Sequence, residues 1–164
     1  GGSSIGVAIV RDLAELEQAV SQAARYDASV LIEEYVSGRE FSVGILNGEA
    51  LPPIEIRPRE GFYDYRNKYQ PGLTEEICPA PLSSGDTRKL QNMAVEAHHA
   101  LGLGDYSRID FIRTEAGEFF CLEANSLPGM TPTSLLPQEA GAVGISYPQL
   151  CETIARAAQG RTFW

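Results

Sequence analysis

Tyr106-Ser107-Arg108-Ile109-Asp110-Phe111-Ile112-Arg113, then Thr114-Glu115-Ala116-Gly117, then Glu118-Phe119-Phe120-Cys121-Leu122-Glu123-Ala124-Asn125 is the stretch that decides the fold. Its first and third parts are rich in aromatic and β-branched residues, and a glycine-containing segment separates them, which predicts a hairpin. A strand alternates its side chains with period two, so Arg108 and Asp110 share one face of the first strand, and Glu123 and Asn125 one face of the second. A two-residue loop at Glu115-Ala116 sets Asp110 opposite Cys121 and Arg108 opposite Glu123. All four polar groups then project to one side. A three-residue loop would throw Asp110 to the other face and separate them, so the even loop or its equivalent is expected.

Two carboxylates and an amide oxygen on one surface form a hard-oxygen set, suited to Mg²⁺ with phosphates completing the octahedron. Without a cation the carboxylates repel. Taken by itself, the same pattern also describes a solvated hairpin face. The next residues, Leu127-Pro128-Gly129-Met130-Thr131-Pro132, neither continue a strand nor readily start a helix. They make a shaped loop that begins where the acidic face ends.

Arg108-Ile109-Asp110-Phe111 followed by Leu122-Glu123-Ala124-Asn125-Ser126-Leu127-Pro128-Gly129-Met130-Thr131 strongly resembles the D-alanine–D-alanine ligases of the ATP-grasp superfamily. That resemblance implies that Asp110, Glu123 and Asn125 hold two Mg²⁺ ions, or Mn²⁺, on the phosphates of ATP. It implies that Arg108 and the Gly129 backbone stabilise the oxyanion of a tetrahedral intermediate. Ser134 and Leu135 would engage the carboxylate of a second D-alanine.

Earlier segments extend the resemblance. Gly1-Gly2-Ser3-Ser4-Ile5-Gly6 is glycine-rich, and such loops let backbone amides approach an anion. Gly/Ser stretches also serve as linkers, and no Gly-Lys-Ser/Thr ends this one, so it is not a Walker A loop. The family's loop of this kind covers phosphates, and its first serine, Ser3 here, positions the first D-alanine. The segment 28–46 reads as a strand, a turn at Ser37-Gly38 and a second strand. By resemblance it is the adenine hinge, with Glu33, Glu34, Tyr35 and Val36 at the base and Glu40 at the ribose. The long irregular stretch 57–72 contains Phe62-Tyr63-Asp64-Tyr65-Arg66-Asn67-Lys68-Tyr69 and has the length of a lid or binding loop. The family carries a similar run in the loop that closes over ATP. Lys68 would then contact phosphate and Tyr69 would pair with Ser3, while Phe62 and Leu122 form apolar walls near adenine. Members of the family that use D-alanine carry a tyrosine at the position of Tyr69, so the resemblance implies the dipeptide rather than a D-lactate product.

The remaining segments read as scaffold. Val7–Val10 is a short apolar strand, and Asp12 caps a helix carrying Leu13, Leu16 and Val20 that reads as packing. Asn47-Gly48 is a hairpin turn signal. The strand from Leu51 to Ile56 contains Pro52 and Pro53 and is expected at an edge. Asp86 is the expected cap of a helix with Leu90, Met93, Ala94, Ala97 and Leu101 on its buried stripe. His98 and His99 are adjacent there, so one faces solvent. Ser146 and Gln149 form a capping box.

A chain of 164 residues suffices for one domain, and 43% hydrophobic with 21% charged residues is ordinary for a globular protein. A formal net charge of -9 argues against nucleic acid. No apolar run is long enough for a membrane span. Three cysteines without metal spacing, with Cys121 expected buried in a core strand, fit a reducing cytoplasm. Only two lysines, Lys68 and Lys89, are present, few for a triphosphate site.

The expected fold class is α+β: the C-terminal part of an ATP-grasp domain, a mainly antiparallel sheet packed with helices. By the resemblance, residues 1–164 are expected to be a partial ATP-grasp domain, without the N-terminal substrate domain and most of the central subdomain of the family. The resemblance implies ATP-dependent joining of two D-alanines for peptidoglycan, with ATP and D-alanine as partners and a homodimer possible for the full-length enzyme. The fragment alone is expected to be inactive. Another ATP-grasp ligase, or a non-catalytic nucleotide-binding piece, remains the alternative.

Overall fold

The computed structural model describes residues 5–58 and 74–159. The chain divides into two units, Gly1–Val36 with Pro58–Thr74, and Ser37–Arg57 with Glu75–Trp164.

Within the first unit, α1 spans Leu13–Ala23. Asp12 caps it as expected, its side chain accepting from the Ala14 amide at 3.1 Å. None of the residues of α1 is buried, so it is not the packing element that its spacing suggests. The segments 7–10 and 28–36 are not strands. Apolar residues there satisfy the composition of a strand, but a strand exists only as part of a ladder, and neither segment pairs with another among the described residues.

The second unit carries the sheet. Its strands are β1 (Arg39–Leu46), β2 (Glu49–Ala50), β3 (Ile54–Pro58), β4 (Thr74–Ile77), β5 (Tyr106–Arg113) and β6 (Phe119–Asn125). The order is β4-β3-β1-β5-β6, with β2 also on β1. All the pairings that β1 and β5 make are antiparallel. The helices are α2 (Ser84–Ala100), α3 (Leu135–Ala142) and α4 (Tyr147–Gln159).

β1 begins and ends where the sequence predicts. Asn47 and Gly48 both take positive φ, 51° and 81°, as a two-residue primed turn requires. Leu51–Ile56 is not one edge strand. It breaks at Pro52-Pro53, and β3 lies inside the sheet between β4 and β1. A proline cannot donate to a ladder, so the pair falls in the one-residue slip between the β2 and β3 registers. Ser83, rather than Asp86, caps α2 and accepts from the Asp86 amide at 3.1 Å.

Alternation gives the sheet two faces. Phe41, Val43 and Ile45 of β1 and Ile109 and Phe111 of β5 bury one face under Leu90 and Ala94 of α2. Each large side chain buried there contributes about 2 kcal/mol. On the other face Leu46 and Leu51 pack against Leu136 and Ala140 of α3 and Leu150 of α4. His98 is buried, its Nδ1 2.8 Å from Ser107 Oγ, and His99 faces solvent. Cys121 is exposed, not buried, because β6 ends the sheet.

A buried ion pair ties β1 to β3. Glu55 is 1% exposed, and Arg39 Nε and Arg57 Nη2 donate to its two oxygens at 2.6 and 2.7 Å. Burial raises the Glu55 acid, but the two guanidinium bonds outweigh it and hold the group below the ordinary carboxylate range. That stabilisation is present above the unfolded carboxyl's pKa and is lost as pH falls through the lower folded value. Arg39→Met should cost about 2 kcal/mol at neutral pH, read from urea unfolding, and the loss should shrink as pH falls through the carboxylate range.

Candidate functional site

The polar residues of β5 and β6 meet on the sheet face that α2 does not cover. The route differs from the predicted one. The turn has three loop residues: the Thr114 amide donates to Glu118 O at 2.9 Å, and Gly117 takes φ 85°. That turn alone would send Asp110 and Glu123 to opposite faces. A second irregularity, a β-bulge at Leu122, adds one more residue to β6. Two odd steps restore parity, so Asp110 pairs with Glu123 and Arg108 with Asn125.

These groups bond to one another. Arg108 donates from Nε and Nη2 to Asp110 Oδ1 and Oδ2 at 2.9 and 2.7 Å. Ser42, opposite Asp110 on β1, donates to Oδ1 at 2.9 Å. The Asn125 amide donates to Asp110 Oδ2 and to Glu123 Oε1, both at 3.2 Å. Burial opposes the charge on Arg108, but its bonds to Asp110 more than compensate and raise its pKa.

The donor set fits a divalent cation. The Asn125 amide lies between two carboxylates with its positive end toward both, where a cation would sit. A half-turn of that amide presents Oδ1 instead, completing a set of hard oxygens. Among the described residues no cluster of three or more His, Cys, Asp or Glu could hold a metal by itself, so a cation here would need further ligands from phosphate or water.

Past Asn125 the chain forms the shaped loop. Ser134 precedes α3 as its N-cap but makes no side-chain cap bond. Its Oγ instead accepts from the Thr131 amide at 3.0 Å and lies 2.7 Å from Thr131 Oγ1. A Cβ on Gly129 would stand 3.0 Å from the same Oγ, so Gly129 and Ser134 face each other across the loop. Tyr147 donates to Met130 O at 2.7 Å and fixes its far side. Leu135 is half-buried beside Ser134.

Other predicted residues fall elsewhere. Glu33, Glu34 and Tyr35 are exposed and Val36 half-buried, in a segment of the first unit without regular structure. Glu40 lies on β1 with its side chain on the same face as Ser42. Leu122, the bulge residue, is 51% exposed. Ser3, Phe62, Lys68 and Tyr69 lie outside the described residues.

Three residues of this face were not picked out by sequence. Ser42 becomes visible only through its register. Gly44 interrupts an apolar strand, a usual sign of close approach: a Cβ there would collide with Glu139 Oε2 and Leu136. Glu139 follows Leu136 by three residues and Leu135 by four, so helical spacing places it on the packed side of α3. It is fully buried, and neither carboxyl oxygen makes a well-formed hydrogen bond, although the Gly44 amide lies close. Burial pushes its pKa well above the usual range and Asp110 adds to this, while the Gly44 amide and Arg108 pull it only partly back.

The profile of the family described as D-ala D-ala ligase C-terminus matches residues 1–156. The chain belongs to the D-alanine–D-alanine ligase family. It is 48% identical to the D-alanine–D-alanine ligase of Pediococcus pentosaceus, over 97% of this chain and 45% of that protein. It is 53% identical to that of Oleidesulfovibrio alaskensis, over 90% of this chain and 48% of the relative. Among solved structures it resembles the Bacillus anthracis D-alanine–D-alanine ligase complexed with ATP, with a TM-score of 0.82, 32% identity and coverage of 94% and 49%. It also resembles the VanG D-Ala:D-Ser ligase of Enterococcus faecalis, with a TM-score of 0.83, 30% identity and coverage of 95% and 46%. The ligase fold expected from sequence, an antiparallel sheet with helices, is the fold observed. The chain spans about half the length of the curated relatives it matches. Among the described residues no helix is long and apolar enough to cross a membrane.

The raised acid at Glu139 has a consequence for stability. The unfolded chain ionises this group near pH 4.3, approximately, while the folded chain keeps the proton to higher pH. Stability therefore falls as pH rises from there toward the folded value. Glu139→Gln should flatten that fall, measured as urea midpoints between about pH 5 and 7.

Proposed function

We propose that this chain is the metal-and-oxyanion part of a protein that joins two D-alanines at the expense of ATP. The observation that carries the reading is the convergence of Arg108, Asp110, Glu123 and Asn125 on one sheet face, in a member of this ligase family. Residues 1–164 form part of an ATP-grasp domain, and the remaining length seen in relatives supplies the other walls of the site.

In this mechanism the carboxylate of the first D-alanine takes the γ-phosphoryl group of ATP, giving an acylphosphate and ADP. The amine of the second D-alanine attacks its carbonyl and phosphate leaves. No side-chain nucleophile is needed, so catalysis comes from positioning and charge. Asp110, Glu123 and Asn125 would hold two Mg²⁺ ions, or Mn²⁺ in their place, which when bound would neutralise phosphate charge. Arg108, with five donors in a planar fork, faces the oxyanion together with the Gly129 amide. Ser134 and Leu135 take the carboxylate of the second amino acid. Glu33, Glu34, Tyr35 and Val36 hold adenine and Glu40 the ribose, with Leu122 and Phe62 as apolar walls. Lys68 contacts phosphate, and Ser3 with Tyr69 orients the first D-alanine. The setting is the cytoplasm, where ATP is available, and the full-length protein is a candidate homodimer.

The test is ADP release by the full-length protein with D-alanine, D-serine, D-lactate and L-alanine in turn. D-alanine-dependent ADP release with the dipeptide as product is expected. Release only with another acceptor overturns the substrate and keeps the chemistry. Asp110→Asn should lower kcat by at least about 100-fold, a loss on the scale of one electrostatic group in a phosphoryl-transfer site. Unchanged turnover in that variant removes Asp110 from the site.

A further inference from the structure

Two carboxyl groups are fully buried among the described residues. Glu55 has two arginines, whereas neither oxygen of Glu139 meets a side-chain donor or a well-formed hydrogen bond, and only the Gly44 amide lies close. A buried polar group left unmatched costs stability and calls for a reason. Its position supplies one. The Glu139 carboxyl fills the space that a side chain on Gly44 would occupy. Gly44 is the register partner of Arg108 in the β1–β5 ladder. Directly opposed side chains on one face lie about 5 Å apart at Cβ, so the acid stands where the cross-strand neighbour of Arg108 would be.

Asp110 is already saturated with donors. It accepts from Arg108 Nε and Ser42 on Oδ1, and from Arg108 Nη2 and Asn125 on Oδ2. A carboxylate has about four lone-pair sites, and all are taken. A cation can reach Asp110 only by displacing donors. Asn125 can turn its amide and become a ligand. Arg108 must release at least one bond, and its side chain, only 20% exposed, cannot carry its charge freely into water.

We propose that Glu139 is a positioning residue: a second seat for the Arg108 guanidinium, which passes from Asp110 toward Glu139 when a divalent cation binds Asp110. The inference rests on the cation site of the proposed function. It makes the idle carboxyl a standing acceptor, held dry by α3 and given room by Gly44. It also leaves Arg108 beside the site, no longer committed to Asp110 and free to meet an oxyanion.

The test is Mn²⁺ binding to the full-length protein in the presence of ADP, followed by electron paramagnetic resonance. Glu139→Met, which matches the shape without an acceptor, should weaken Mn²⁺ binding by about tenfold. Its Tm without metal should equal or exceed the parent's, because an unmatched buried acid is gone. In an Arg108→Met background the same substitution should change Mn²⁺ affinity by less than about twofold. Glu139→Gln, which keeps shape but not charge, should move affinity in the same direction as Glu139→Met. Equal weakening in both backgrounds would mean that Glu139 acts on the cation directly, and would overturn the proposal. So would no weakening, or a lowered Tm, which marks a purely structural residue. Mn²⁺ binding absent from the parent, or untouched by Asp110→Asn, would instead overturn the cation site itself.

Discussion

The antiparallel ladder between β1 and β5 is the constraint from which the rest follows. It runs from Arg39–Arg113 to Leu46–Tyr106 without a break. Period-two alternation along eight paired positions leaves each side chain a single choice of face. Phe41, Val43, Ile45, Ile109 and Phe111 take the face under α2. Ser42, Gly44, Arg108 and Asp110 are thereby committed to the other. The polar face is a by-product of building the core, and α3 and α4 cover only its Leu46 end.

Local signals were legible where a structure is local. Asn47-Gly48 specifies its turn by backbone conformation alone, and β1 ends on it. Asp12 and the Ser146–Gln149 pair cap helices through bonds that span three residues at most, the Ser146 amide donating to Gln149 Oε1 at 2.9 Å. Signals that need a distant partner were not. Val7–Val10 and the segment 28–36 have strand composition, but composition cannot report whether a second strand is there to pair with. Pro52-Pro53 announced a defect in the ladder, and an edge position was one way to absorb it. A register slip inside the sheet was the other.

The site was legible in part for the same reason. Arg108, Asp110, Glu123 and Asn125 could be placed on one face because each pair is two residues apart on its own strand. The loop is one residue longer than expected, since Gly117 at positive φ favours the longer turn, and the bulge at Leu122 leaves no mark in the residue types. Ser42, 68 positions from Asp110, and Glu139, on another element, are brought in by tertiary structure. Their chemistry was present in the sequence; their neighbours were not.

The paired irregularities of the β5–β6 hairpin also bear on how such a chain can change over generations. A single insertion or deletion in the turn would invert Glu123 and Asn125 and disconnect them from Asp110. A change of two residues would leave their facing intact. So would a change of one, provided that the bulge at Leu122 were lost or gained with it. Hairpin length in lineages that keep this face should therefore drift in even steps, or in coupled odd ones, although the turn lies at the far end of the strands from the cluster it keeps aligned.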